Sequence, residues 1–301
     1  MESKNYEIII LGTGPAGLQA AIHAARTKVS TLVMGREHKS SLYKAHVENY
    51  CCLTGFSGEE LLQGGIRQAK DSGAEFLHED VIKIDPEEDN WFAVHTESGQ
   101  VLKTRAIVLS MGIARHRLGA SGEKEFLGKG VSYCVDCDAN FYRNEKVAVI
   151  GNASAAVAGA MTLLFYAKEV HLITEALEVS ERMDYQIRNS SVRVHDNRKV
   201  VEIVGSEGVE ALVFDDGTRL DVTGVFIELG AKGAVELAAT LGVMLDPEKM
   251  QYIVTDKQQQ TNIPGIYAAG DICGPPWQMA KAVGEGCLAG LTAAKYVKKL
   301  R

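Results

Sequence analysis

The sequence has no apolar run of eighteen residues, so it carries no candidate transmembrane helix. It has no basic surplus either. Its 32 Lys and Arg face 39 Asp and Glu, for a formal net charge of −7. That balance argues against a sequence-independent grip on nucleic acid and leaves no polybasic patch for a membrane surface. Six cysteines in 301 residues do not make a secreted disulfide framework. The eight histidines fall in no H-E-x-x-H or similar spacing, and no metal is expected. No low-complexity stretch interrupts the chain. The opening Met1-Glu2-Ser3-Lys4-Asn5-Tyr6-Glu7 has charges of both signs and leads into only a short apolar strand, unlike a signal peptide. The expectation is a soluble cytoplasmic protein. Its 46% hydrophobic and 24% charged residues are ordinary for globular chains, and its length suits one large or two medium domains.

What is present centres on Tyr133-Cys134-Val135-Asp136-Cys137-Asp138. Two cysteines two residues apart can close a small redox-active disulfide. The attacking species is a thiolate, favoured near a helix N-terminus. Asp138 can give or take the proton that exchange requires. On the pattern alone, half a zinc site or two unrelated thiols remain alternative readings.

Around this pair lies a repeated strand–turn–helix. The apolar run Glu7 to Leu11 ends in Gly12-Thr13-Gly14-Pro15-Ala16-Gly17 and leads into helix-forming residues. Glycines there permit the tight turn and close backbone approach, and the helix N-terminus suits a dinucleotide pyrophosphate. The next strand ends in Met34-Gly35-Arg36 rather than in the acid that usually holds an adenosine ribose. Backbone near Gly35, or Arg36, is the expected substitute, although Met34 also reads as plain core. Ser57 with Glu60 forms a capping-box signature. Short segments at Val81, Trp91 and Val101 read as an antiparallel insert returning to the sheet. A second copy begins at Lys146, but its turn, Gly151-Asn152-Ala153-Ser154-Ala155-Ala156, has a methyl where a pyrophosphate would approach. The chain crosses back near Gly230-Ala231-Lys232-Gly233. An apolar strand then ends in Ala268-Ala269-Gly270-Asp271, and a long helix starts near Trp277. The fold class is α/β: two Rossmann-like three-layer ββα dinucleotide-binding domains, the second inserted into the first. The expected boundaries are 1–113 with 232–301, and 114–231.

These pieces, with Val47-Glu48-Asn49-Tyr50, Gly130 to Asp138 and Phe141-Tyr142-Arg143, resemble the low-molecular-weight thioredoxin reductases over nearly the whole chain. The resemblance implies an FAD domain interrupted by a pyridine-nucleotide domain, a homodimer, and a dithiol alternating between flavin and solvent by domain rotation. It implies that Cys137 faces the flavin, that Cys134 attacks a thioredoxin-like protein, and that Asp138 is the acid. Gly12, Thr13, Gly14, Pro15, Ala16 and Gly17 would take the FAD pyrophosphate, with Met34, Gly35 and Arg36 near the ribose. Asp271, beside Gly270, would take the ribityl side. Leu42, Asn49, Gly112 and the Gln278-Met279-Ala280 turn would line the cofactor.

The departures from that family gather on one function. Its basic cluster after the second domain's second strand is here Thr174-Glu175-Ala176 and then Ser180; Trp277 replaces an arginine, and Ser110-Met111 precede Gly112. The thiol motif is intact and the NADPH site is not. That combination is similar to a pyridine-nucleotide-independent branch reduced through its flavin, for example by ferredoxin. NADH remains a second donor, since Glu175 suits a free 2′-hydroxyl, and a flavin-bound redox sensor is the non-enzymatic reading. Cys51-Cys52 could join Cys134 and Cys137 around a metal or Fe–S cluster. Adjacent cysteines rarely point into one tetrahedral site, so they read instead as buried or spare thiols. Cys273 and Cys287 read as structural.

Overall fold

A computed structural model describes residues 5–53, 55–113, 117–229, 233–247 and 250–301. The chain divides into two compact units, residues 1–114 with 233–301, and residues 115–232. The expected crossing at Gly230-Ala231-Lys232 lies outside the described residues.

The larger unit begins with β1 (Asn5–Leu11), whose second half Ile8 to Leu11 is apolar and buried, and α1 (Pro15–Arg26). Then come β2 (Thr31–Met34), the paired β3 (His46–Val47) and β4 (Phe56–Ser57), α2 (Gly58–Asp71) and β5 (Glu75–Leu77). The Ser57–Glu60 capping box that starts α2 is formed. β6 (Val81–Pro86), β7 (Phe92–Thr96) and β8 (Val101–Leu109) follow, antiparallel to one another in the order 6-7-8. β8 then runs parallel to β1, completing the sheet order β5-β2-β1-β8-β7-β6.

The smaller unit holds β9 (Val131–Ser132), α3 (Val135–Asp138), β10 (Lys146–Ile150), α4 (Ser154–Leu163), β11 (Glu169–Ile173), α5 (Glu181–Arg188) and β12 (Arg193–His195). An antiparallel sheet of β13 (Val200–Gly205), β14 (Val209–Phe214) and β15 (Arg219–Asp221) precedes β16 (Gly224–Ile227). β12-β11-β10-β16-β9 form one parallel sheet.

The chain returns to the larger unit through α6 (Ala234–Thr240), β17 (Ile266–Ala268) and α7 (Met279–Lys299), with β17 parallel to β8. α7 meets α1 along a seam of small residues. A Cβ on Gly286 would stand 2.1 Å from the Ala16 carbonyl oxygen, and one on Gly290 2.3 Å from that of Ala20. Only glycine allows this approach, which brings the start of α7 beside the turn before α1.

In the smaller unit, His171 on β11 and His195 on β12 approach to 2.9 Å between Nδ1 and Nε2. Burial lowers both imidazole pKa values; at His171 the neighbouring His195 adds to this and Glu169 opposes it, while at His195 Arg198 and Arg193 add to it. Folded pKa values below the unfolded value of about 6.5 mean that the unfolded chain takes up protons first. The stability linked to the neutral pair is complete above that value and is lost as pH falls below it. The urea midpoint of the wild type should drop between pH 7.5 and 5.5, and His171→Gln should flatten that drop. An unchanged slope in the variant would contradict the linkage.

Candidate functional site

Cys134 and Cys137 are joined in a disulfide, with Cα atoms 5.3 Å apart. The pair sits on α3, a single turn for which Cys134 is the N-cap; its Sγ accepts the Cys137 N–H at 3.2 Å. Such a donor favours the thiolate once the bond is reduced. Cys134 is half-buried and Cys137 exposed. One helical turn has little stability of its own, so outside groups hold it. Ser132 accepts the Cys134 N–H at 3.0 Å and donates its hydroxyl to Asp138 Oδ2 at 2.6 Å. The buried Glu228, just past β16, accepts the Val135 N–H at 3.0 Å. Tyr133 donates to Glu123 at 2.6 Å.

The first glycine turn packs as its residue types require. Gly12 has φ +119°, and a Cβ there would stand 2.3 Å from the Ser110 carbonyl oxygen; on Gly17 it would stand 1.9 Å from that of Gly12. Gly14 is the N-cap of α1, with no side-chain cap and Pro15 following. A Cβ on Gly14 would meet only Ser40 Oγ, at 3.4 Å, so the turn is open on the side where the first N–H groups of α1 point. Thr13 and Ala16 are buried, and Gly270 (φ +92°) packs on the Ala16 methyl. Thus Asp271 comes to the same turn. Its carboxylate is half-buried and has no hydrogen-bond partner among the described residues. Burial pushes its pKa up and Glu285 adds to this, while Lys281 pulls it down. Lys281 Nζ donates to the carbonyls of Gly270 and Gly274, and Glu285 accepts the Gly270 N–H at 2.8 Å. At the start of α7, Asn49 donates to Gln278 Oε1 at 2.8 Å; Met279 packs with Leu42, and Ala280 is exposed in the first turn. Gly112 takes φ +69° just beyond β8.

Chain residues 6–286 match the pyridine nucleotide-disulphide oxidoreductase family. The chain belongs to that family. A thioredoxin reductase of Listeria innocua is 34% identical over 313 residues, covering 100% of this chain and 96% of that protein. The solved atypical thioredoxin reductase TRi of Desulfovibrio vulgaris Hildenborough superposes with TM-score 0.84 at 34% identity, covering 98% of each chain. A ferredoxin-flavin thioredoxin reductase from Clostridium acetobutylicum gives 0.69 at 30% identity, covering 99% of this chain and 100% of that one.

The cofactor of this oxidoreductase is FAD. The larger unit fits it: an open, uncapped helix N-terminus for a pyrophosphate, and at Asp271 a carboxylate with no hydrogen-bond partner among the described residues, for hydroxyl groups. The ribose side differs from the simplest expectation. Met34 is core, 2% exposed, and only its carbonyl reaches the turn, accepting the Gly12 N–H at 2.8 Å. Gly35 (φ +131°) lies against Gly12 and Thr13. Arg36 is drawn aside by two buried carboxylates, pairing with Asp80 at 2.6 Å and with Glu97.

The second turn is built differently. A Cβ on Gly151 would stand 2.1 Å from the Glu228 carbonyl oxygen, so the tight strand–helix packing is kept. Ala153, the N-cap of α4, is buried, and the Asn152 carbonyl accepts the Glu178 N–H at 2.6 Å. The loop after β11 is therefore bonded onto the turn. Ser180 caps α5 through the Met183 N–H, and Glu175 is exposed. Residues 174–184 contain four carboxylates and one arginine, Arg182. The sequence reading did not find Ser132, Glu228, Lys281 or Glu285. Glu228 had a signal, as a carboxylate directly after an apolar strand, the pattern that marked Asp271.

Asp271→Ala should weaken FAD binding by about 10- to 100-fold, the loss of a charge-assisted hydrogen bond or two, with unfolding of the apoprotein little changed. Glu228→Ala should do the reverse. FAD content should hold while stability falls by about 1–3 kcal/mol, because the buried Val135 N–H loses its acceptor; Glu228→Gln should recover part of that. Flavin titration and urea unfolding on both variants measure this, and equal effects from both would contradict the assignment.

Proposed function

We propose that the protein is a thioredoxin-disulfide reductase that takes electrons at its FAD from a donor other than NADPH. The single observation that carries the first half is the capped Cys134–Cys137 disulfide with Asp138 hydrogen-bonded beside it. Bound FAD supplies the two electrons that reduce this disulfide. Thiol–disulfide exchange with a thioredoxin-like protein then proceeds through a mixed disulfide, which the second cysteine resolves. Ser132 orients the Asp138 carboxyl for proton transfer, and Glu228 holds the helix on which both sulfurs sit. Gly12 to Gly17 and Asp271 form the FAD site in a domain of residues 1–113 and 232–301, with Gly35 backbone near the ribose. Residues 114–231 form the pyridine-nucleotide-like domain. A homodimer in the cytoplasm is the expected setting.

The thiol roles follow from two contrasting features. The Cys137 N–H on Cys134 Sγ supports Cys134 as the nucleophile toward partner, whereas the greater exposure of Cys137 points the other way. We assign the attack to Cys134 on electrostatic grounds. Cys137→Ser should then accumulate a partner mixed disulfide on Cys134, and Cys134→Ser should not. A mixed disulfide formed only by Cys137 would reverse the roles.

Support for a donor other than NADPH is local. Ala153 fills the turn, the loop at Glu178 is bonded to Asn152, Ser180 is committed to capping, and the loop is acidic where a 2′-phosphate would lie. Absence of two guanidinium contacts, at about 1.5–3 kcal/mol each, weakens NADPH by hundreds-fold or more. A low-potential protein donor needs no such pocket. From about −400 mV for a plant-type ferredoxin to about −270 mV for thioredoxin, two electrons release roughly 6 kcal/mol. NADH avoids the phosphate and is the second donor to test, because Glu175 can accept from a 2′-hydroxyl. In anaerobic reactions, reduced ferredoxin should bleach the FAD absorbance rapidly, NADH weakly and NADPH least. Efficient NADPH turnover that is lost in Arg182→Ala would overturn the donor reading and place the phosphate contact on α5.

A further inference from the structure

Cys51 and Cys52 stand in a turn that neither the FAD site nor the Cys134–Cys137 disulfide uses. Of the two readings, buried or spare, burial does not hold: both are free and exposed, with Sγ atoms 3.5 Å apart. The turn closes by a hydrogen bond from the Leu53 N–H to the Tyr50 carbonyl at 3.1 Å, which puts the cysteines at its two central positions. Cys52 takes φ +68°, a conformation that favours glycine at the third position of such a turn. Both flanks are fixed. Asn49 is bonded to Gln278, and Tyr50 packs on the cluster of Leu42, Val47 and Leu62. Two exposed thiols are thus held edge to edge, in a backbone conformation cysteine does not favour, with no packing role. No group of three or more metal-ligating side chains occurs among the described residues, so the pair is not part of a metal site there.

We propose that Cys51 and Cys52 are a second reversible thiol–disulfide couple, on the larger unit, that exchanges with disulfides from solution. In the first step one of the two thiolates attacks a disulfide RS–SR, forming a mixed disulfide and releasing one RS⁻. The neighbouring thiolate then displaces the second RS⁻ and closes the Cys51–Cys52 ring. Two electrons pass from the pair to RS–SR, and the two thiol protons end on two RSH. The sulfurs need to approach from 3.5 Å to about 2.05 Å, within reach of side-chain rotation. Adjacent Cα atoms lie about 3.8 Å apart, below the about 4.4–6.8 Å that unstrained disulfides span. The ring is therefore strained and easily opened, which belongs to the labile, regulatory class rather than the structural one. This inference rests on the turn alone and is independent of the electron-donor reading.

Trypsin should release residues 45–67, bounded by Lys44 and Arg67 and containing only these two cysteines, while residues 130–143 carry Cys134 and Cys137. Holoenzyme is equilibrated anaerobically across graded ratios of oxidised to reduced glutathione, acid-quenched, alkylated and digested. Peptide 45–67 should lose two hydrogens reversibly. Its midpoint should require a ratio at least about tenfold more oxidising than that of peptide 130–143. Cys52→Ala should instead retain one glutathione on Cys51. The proposal is overturned if wild-type peptide 45–67 stays doubly alkylated throughout. It is equally overturned if wild type stops at a glutathione adduct, as the variant does, or if both peptides close at the same ratio.

Discussion

A helix of one turn cannot hold two sulfurs in register by itself, and the thiol site depends on how that turn is fastened. The fastening is a buried carboxylate at the end of a neighbouring strand. Glu228 accepts the Val135 N–H, and just before it β16 is paired with β10 in the centre of the smaller unit's sheet. A charged acceptor on a helix N-terminal N–H is among the stronger hydrogen bonds available to a protein. Ser132 completes the arrangement from the chain's own entry into the turn, touching both the Cys134 N–H and Asp138. Ser132 and Glu228 thus anchor the turn at its N-terminal end.

The same α/β architecture appears twice, with differently built turns. In the larger unit, glycine is kept both where backbone meets backbone and where space must stay open, and the Asp271 carboxylate beside the opening has no hydrogen-bond partner among the described residues. In the smaller unit, only the packing glycine survives: Gly151 still allows the strand to approach the helix. The open position has become Ala153, and the loop after β11 has been bonded down through Asn152. The packing constraint is independent of binding, because a Cβ at Gly151 would collide with backbone whatever the ligand.

Features carried by local periodicity and turn chemistry were legible in the sequence. The first glycine turn, the Ser57–Glu60 capping box, the antiparallel insert of β6 to β8 and the long last helix are all of this kind. So were the cysteine pair and the position of Asp271 after its strand. What escaped was set by contacts between residues far apart in the chain. Arg36 could not be assigned without knowing that Asp80 and Glu97 face it, some forty and sixty positions on. Glu228 lies more than ninety residues from the N–H it accepts. The bond from Glu178 to Asn152 uses backbone atoms, which leave no trace in residue type. The choice between buried and spare for Cys51 and Cys52 stayed open for a related reason: exposure at a turn depends on what the surrounding chain covers.

In the function proposed above, electrons reaching FAD leave through Cys134 and Cys137 to a protein disulfide, with no pyridine nucleotide required. The most direct measurement supplies those electrons without any biological donor. Holoenzyme is reduced anaerobically with dithionite, freed of excess reductant, and mixed with an oxidised thioredoxin. FAD absorbance should return and about two new thiols should appear on the thioredoxin for each pair of electrons released, with no nucleotide present. Enzyme that stays reduced, or that reoxidises without partner thiols until NADPH is added, would contradict it.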